Sequence, residues 1–339
     1  MTNLSKPVQS PRVTVIIPNW NGMRWLPQCF IHLKKQTCQS FQIVVVDNAS
    51  SDGSVKWILN KYPEVHLIKL KENLGFAHAV NMGIQASETP YVALLNTDTR
   101  VHSDWLKHLL RHMQNGDENL GAVSPLMLSM EDAAVIDDAG NSFSWYGMAT
   151  KIGHGKRMDS TPIDIDIFSP SGGASLYRRS FFDHCGAFDA AFFAYLEDVD
   201  LGLRGRLFGY IYELETQAQV YHFGHGSEIN RDRYIQLITQ NRLLIFLKNI
   251  PTRLLIRNLG KIIYGQIYFL IANGRLLPVM KGYLSFLKRI PHIIRKRREC
   301  RPKIKLNNGE IEKLLLTEKP GSISYHLQKL WKRKSPENL

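Results

Sequence analysis

Short apolar runs alternate with amphipathic stretches through the first hundred residues. Val13 to Ile17 is rich in β-branched side chains, stops at Pro18, and predicts a buried strand. Helical spacing follows from Leu26 to Lys35. A second buried strand is predicted over Phe41 to Val46, ending at Asp47, then a helix over Ser54 to Lys61 and a third strand over Val65 to Leu70. Gly75 to Ala86 predicts a helix, and Tyr91 to Leu95 a fourth strand that ends at Asn96-Thr97-Asp98. This alternation has the spacing of βαβ units and predicts an α/β fold with a doubly wound, mostly parallel sheet. Such sheets bind ligands beyond the carboxyl ends of their strands. Asn19, Asp47 and Asp98, each following a strand, are therefore expected to converge on one crevice.

From Gly116 to Pro170 the pattern weakens to short strands and loops, including Ile163 to Phe168. The loop Ser169-Pro170-Ser171-Gly172-Gly173 leads into an apolar segment, and another strand is predicted near Gln219 to His222. Beyond Tyr234 the chain turns long, apolar and helix-like, over Ile235 to Ile250 and Leu254 to Met280. The strongest candidate for a membrane span, Ile262 to Gly274, is interrupted by Gln266 and Asn273. It falls well short of the roughly 20 residues a crossing needs.

Charge sharpens this division. The net charge of the 339 residues is +13, but residues 242–339 carry 22 Lys and Arg against 5 Asp and Glu, while the rest carries 21 against 25. Basic residues set among apolar ones, as in Lys288-Arg289-Ile290 and Ile294-Arg295-Lys296-Arg297-Arg298, predict helices lying in the interface of an anionic membrane. The alternative is a helical bundle with a solvated basic face. Nucleic acid is not expected, since aromatic residues are not interleaved with the charges and no recognition motif occurs. Cys29, Cys38, Cys185 and Cys300 are widely spaced, which argues against a structural zinc site or a dense disulfide framework and fits a reducing compartment. Met1 to Ser10 is polar, so no signal peptide is expected.

The candidate chemistry is acidic. Phe192 to Leu201 sets Glu197, Asp198 and Asp200 among apolar neighbours. Acids in such a place are paired or functional: either one is a general base, or they pair with Arg204 and Arg206 on the same predicted helix. Asp47, at a strand end, suits hydrogen bonds to a nucleobase or ribose, and less well a helix cap. Asp98 suits a hard divalent cation, Mg²⁺ or Mn²⁺. His222 either completes that site or is structural. Glycines in Asn73-Leu74-Gly75 allow close approach of a ligand or of a neighbouring helix.

Taken in order, Pro18…Asn21-Gly22, Asp47-Asn48-Ala49-Ser50-Ser51-Asp52-Gly53, Asn73-Leu74-Gly75-Phe76…Asn81, Asn96-Thr97-Asp98, Gly172-Gly173 and Glu197-Asp198-Val199-Asp200 resemble the family 2 glycosyltransferases of the GT-A fold, within them the bacterial rhamnosyltransferase-like branch. The resemblance implies a catalytic domain over residues 12–245, after a disordered start over 1–11 and before a basic, membrane-associating helical region over 246–339. It implies an inverting transfer from a nucleotide-diphosphate sugar, with a lean to dTDP-rhamnose, to a glycan or lipid-linked acceptor in bacterial polysaccharide assembly at the inner face of the cell membrane. Asp198 matches the catalytic base, with Glu197 beside it; Asp98 matches the metal-binding acid, with His222 completing the site. Pro18, Asn19, Asn21, Asp47, Asn73, Asn96, Gly172 and Gly173 match donor-side positions. Asn96 replaces an acid of the wider pattern and weakens the expected hold on metal. Gln-x-x-Arg-Trp of the processive synthases is absent; the region reads Gln240-Asn241-Arg242-Leu243, which implies transfer of one or a few sugars. The rivals are a UDP-hexose donor and a non-catalytic nucleotide-sugar-binding scaffold. An oxidoreductase is disfavoured because no Gly-x-Gly-x-x-Gly follows the first strand.

Overall fold

A computed structural model of the chain describes residues 11–160, 166–224 and 229–320. The disorder expected over 1–11 lies outside these residues except at Pro11, as does the first half of the strand expected over Ile163 to Phe168.

The period-2 alternation of the first strand decides which layer each side chain joins. In β1 (Val13–Asn19) Val13, Val15 and Ile17 pack on one face of the sheet with α1 (Leu26–Lys34), while Ile16 packs on the other with α3 (Phe76–Gln85). β2 (Phe41–Asp47), α2 (Ser54–Lys61), β3 (His66–Lys69) and β4 (Tyr91–Leu95) complete the predicted βαβ run, and β1 to β4 are parallel.

The remaining strands are β5 (Thr99–Val101), β6 (Leu120–Ser129), β7 (Ile136–Asp138), β8 (Asn141–Phe143), β9 (Ala149–Lys151), β10 (Ala174–Arg178) and β11 (Ile211–His222). Nine of the described strands form one sheet in the order β3-β2-β1-β4-β10-β6-β11-β5, with β7 on β6; β8 and β9 form a hairpin. β10 runs antiparallel between β4 and β6. The segment that looked weakest in sequence thus contains the longest run of buried strand residues among the described strands, in β6, nine of whose ten residues are buried. Gly121 and Pro125 interrupt its pattern, and the partner strand β11 absorbs Pro125 with a register shift between Glu215 and Gln219.

Helices α4 (Trp105–Asn115), α5 (Arg179–Cys185) and α6 (Glu197–Leu207) flank the sheet. The C-terminal part is α7 (Arg231–Asn249), α8 (Thr252–Arg257), α9 (Leu259–Asn273), α10 (Leu276–Cys300) and α11 (Asn308–Leu314). The continuous apolar reading of Leu254 to Met280 is corrected here. The helix breaks at Asn258 and again at Gly274, which takes a left-handed φ of 62°. Among the described residues no helix is long and apolar enough to cross a membrane.

Candidate active site

A cavity of about 870 Å³ opens beyond the carboxyl ends of β1 and β4. Pro18, Asn19, Asn73, Asn96, Asp98 and His222 line it, together with Gly172, Gly173, Glu197 and Asp198. Two expected site residues stand behind this wall. Asp47 is buried, accepting from Asn19 Nδ2 at 2.7 Å and from the Ser50 amide at 3.0 Å. Asn19 faces the cavity and Asp47 holds it there. Asn21, at φ 50°, accepts from the Ser51 amide at 2.9 Å and so ties the first loop to the second.

The loop after β3 is held by amide side chains. Asn48 accepts from the Leu74 amide at 2.9 Å and donates to the Gly75 carbonyl at 3.1 Å, while Asn73 accepts from the Gly75 amide at 2.9 Å. Gly75 sits at φ 89°, and a Cβ there would lie 2.4 Å from the Phe193 carbonyl oxygen. Only glycine allows this approach between the β3 loop and the loop entering α6.

Strand register builds the corner at Asp98. β5 pairs antiparallel with β11 so that Thr99 faces His222, which sets Asp98 beside the histidine. Asp98 Oδ2 lies 3.4 Å from His222 Nε2, and His222 Nδ1 lies 2.8 Å from Asp137 Oδ2 in the middle of β7. Burial alone would lower the His222 pKa, but hydrogen bonds and charge from Asp137 and Asp98 outweigh it and push it up to about 9. Burial raises the Asp137 carboxyl, yet His222 and Lys151 outweigh that and hold it well below the ordinary range. No group of three or more His, Cys, Asp or Glu poised for a metal occurs among the described residues. Asp98 and His222 supply one oxygen and one nitrogen donor of the kind that Mg²⁺ or Mn²⁺ could use. A carboxylate on the far nitrogen of a ligand histidine fixes its tautomer and direction.

A further part of the lining is the head of α6. Phe193, Tyr195 and Leu196 all take left-handed φ, at 65°, 69° and 66°. Such strain persists only when surrounding structure imposes it. Asn241 of α7 supplies that, donating to the carbonyls of Phe192, Ala194 and Tyr195 at 3.0, 3.0 and 2.7 Å. The loop delivers Glu197, Asp198 and Asp200 to the first turn of α6, where the helix dipole favours anions. Asp198 Oδ2 accepts from the Gly172 amide at 3.0 Å and Asn141 Nδ2 at 3.1 Å, and Oδ1 from the Val199 amide at 2.8 Å. Burial raises its pKa, partly offset by these bonds. Glu197 is buried with Oε2 unpartnered, and burial together with the Asp198 charge raises it far above its usual value. Neither acid pairs with Arg204 or Arg206. Asp200 does pair with Arg204, at 3.3 Å, but more closely with Lys248 at 2.6 Å and Asn249 at 2.8 Å; Arg206 pairs with Asp166 instead.

Sequence reasoning missed Asn48, Asp137, Asn141, Asn241 and Lys248 as site or support residues. Asn48 stood inside a quoted motif; the others carry no local signal, because their roles arise from contacts across the fold.

A mostly parallel sheet carries an acid–histidine corner and a carboxylate at a helix head on one cavity. The profile of glycosyl transferase family 2 matches residues 14–186, and the chain belongs to that family. It is 28% identical over 215 residues to N-acetylglucosaminyl-diphospho-decaprenol L-rhamnosyltransferase of Mycobacterium tuberculosis, covering 56% of this chain and 69% of that protein. It is 29% identical over 119 residues to the teichoic acid poly(glycerol phosphate) polymerase of Staphylococcus epidermidis, covering 34% of this chain and 16% of that one. With the glycosyltransferase GlyG of Streptococcus pneumoniae it shares 27% over 114 residues, covering 33% of this chain and 38% of that protein. The chain thus spans well under half the length of two of these relatives. Among solved structures it resembles GalNAc-T7 with UDP, GalNAc and Mn²⁺ (TM-score 0.58, 14% identity, 96% of this chain and 57% of that one). It also resembles S. aureus TarS 1–349 (TM-score 0.54, 14% identity, 89% and 90%). The fold is GT-A, with a mostly parallel central sheet and a helical C-terminal part.

Proposed function

We propose that the protein is an inverting glycosyltransferase of bacterial cell-surface glycan assembly, passing a sugar from a nucleotide-diphosphate donor to a hydroxyl of a glycan or lipid-linked acceptor. The observation that carries this is the Asp198 carboxylate, paired with no cation among the described residues and on the same cavity as the Asp98–His222 corner. Asp198 takes the acceptor hydroxyl proton as that oxygen attacks the anomeric carbon, and the bond from that carbon to the diphosphate breaks. One base and one displacement invert the centre; a positioned base contributes typically about 10²–10⁴-fold. Asp98 and His222 would hold Mg²⁺ or Mn²⁺, which neutralises charge developing on the departing diphosphate. Asp137 aims His222, and Lys151, 2.9 Å from Asp137, balances its charge. Asn19, Asn73 and Asn96 line the donor side, with Asp47 and Asn21 as supports. The lean to dTDP-rhamnose rests on the mycobacterial relative; a UDP-hexose is the alternative. Release of nucleoside diphosphate from dTDP-, UDP- and GDP-sugars, with and without Mn²⁺, tests this reading. A panel with no metal-stimulated release contradicts it.

We further propose that residues 246–339 attach the protein to an anionic membrane surface. On α10, Leu277, Met280, Leu284, Leu287, Pro291 and Ile294 form an exposed stripe, and Lys281, Lys288 and Arg295 stand one position after it, also exposed. Ile256, Leu259, Ile263 and Ile267 add exposed apolar surface on α8 and α9. The like charges beside the stripe oppose self-association and favour anionic lipid. Deleting the residues after about 250 should release the protein from anionic vesicles, and unchanged binding would overturn this.

A further inference from the structure

Past Asp198 the cavity continues between α7 and α9, where its wall changes character. Tyr195 and Tyr234 meet edge to face with centroids 4.9 Å apart, and Ile238 and Phe269 continue an apolar surface. Into this wall is set Arg242, 1% exposed, with its guanidinium 4.7 Å from the centre of the Phe269 ring. Nε donates to the Gly147 carbonyl at 2.6 Å, and Nη2 to those of Tyr146 and Gly265 at 2.7 and 2.8 Å. Nη1 is buried and has no partner among the described residues. No carboxylate pairs with Arg242 among the described residues, although acids crowd the reaction centre nearby. The other basic side chain on the wall, Lys151, is taken by Asp137, and His222 belongs to the Asp98 corner. Carbonyls solvate a guanidinium but do not neutralise it, and an uncompensated buried charge costs several kcal/mol. A fold that keeps one at an apolar cavity wall is built for an anion that arrives with an apolar group attached.

We propose that Arg242, Tyr234, Ile238 and Phe269 form a subsite for a phosphate or diphosphate joined to a hydrocarbon chain, the anchor of a lipid-linked acceptor. Its place in catalysis rests on the glycosyltransferase reading, whereas its binding does not. The two unpartnered Nη1 hydrogens meet phosphate oxygens in charge-assisted bonds, and the aromatic wall covers the first carbons of the chain. The fixed partners of Arg242 lie on the 146–147 turn and α9, whereas the proposed donor corner is Asp98 and His222; competition by nucleotide separates the two sites.

The test is titration of the full chain, without metal and with EDTA, by farnesyl diphosphate, farnesol and inorganic diphosphate, each with and without excess UDP and dTDP. Farnesyl diphosphate should bind at least about tenfold more tightly than either half alone, and the nucleotides should not displace it. Arg242→Gln, checked for folding by circular dichroism, should abolish the advantage over farnesol, and Arg242→Lys should restore part of it. Tyr234→Ala, at a part-exposed position, should weaken farnesyl diphosphate but not inorganic diphosphate. Leu59→Asn, exposed on α2, should change nothing. Equal binding of farnesol and farnesyl diphosphate, displacement by nucleotide, loss in Leu59→Asn, or an unchanged ratio in folded Arg242→Gln would each overturn the subsite. Donor cleavage by water does not use it. Farnesyl diphosphate binding without donor turnover therefore contradicts the transferase reading alone, and turnover without that binding contradicts the subsite alone.

Discussion

Asp198 and Asp200 stand two residues apart on the first turn of α6, both drawn in from solvent, and they are held by opposite means. Asp200 is sealed among Lys248, Arg204 and Asn249, and Lys248 reaches Asp189 at 2.8 Å as well. Among the described residues Asp198 has amide donors only, from Gly172, Val199 and Asn141. Burial is common to the two; the partner set is what differs. A carboxylate saturated by cations has no reason to take a proton, whereas one that amides hold in place, with its pKa raised by burial, can. The same contrast separates the two buried basic groups of α7: Lys248 is doubly paired and Arg242 is not.

The largest effect that would break this contrast is on turnover. Asp198→Asn should lower the rate of sugar transfer by about 10²–10⁴-fold. Next is stability: Lys248→Met strands Asp189 and Asp200 and should cost about 3–5 kcal/mol in urea unfolding. Burial raises Asp189, but Lys248 outweighs it and depresses the carboxyl below its ordinary 3.8. The stability it contributes is therefore complete above that pH and lost as pH falls through the depressed folded value. Lys248→Met should flatten that acid dependence; an unchanged slope would remove Lys248 from the account. Third, Asp137→Asn should weaken Mn²⁺ binding, measured calorimetrically, by about 10–100-fold if it aims His222. The smallest effect lies in the pH–rate profile. Asp198 works deprotonated, so turnover falls as pH drops through its raised pKa. Asn141→Ala removes a bond that lowers this pKa, so the acid limb should move to higher pH; a downward move contradicts the assignment.

Much of the β1–β4 half was legible because its signals are local. β1, β2 and β4 lie within two residues of their predicted limits, since each is a short apolar run with a polar stop, and the acids and amides at those stops reach the cavity or support it. The rest of the chain was less legible. β6 hides behind Gly121 and Pro125, and α4 was not read at all, although its buried Trp105, Leu106, Leu109, Leu110 and Met113 carry helical spacing. Leu254 to Met280 looked continuous because apolar content does not reveal breaks at Asn258 and Gly274. Asp200 was expected to answer to the arginines of its own helix, yet its closest partner is Lys248, 48 residues on. Asn241 and Arg242 stood out only as the absence of another motif. One clamps the strained loop before α6, and the other faces the cavity, and both depend on contacts that the linear pattern does not encode.

The most direct test sets Asp198→Asn beside Asp200→Asn, measuring donor affinity, turnover and unfolding free energy on the same preparations. Asp198→Asn should bind donor as the wild type does and unfold as it does, with turnover nearly abolished. Asp200→Asn should lose its stability first. Retention of more than about a tenth of wild-type turnover by a folded, donor-binding Asp198→Asn protein would show that this carboxylate is not the base.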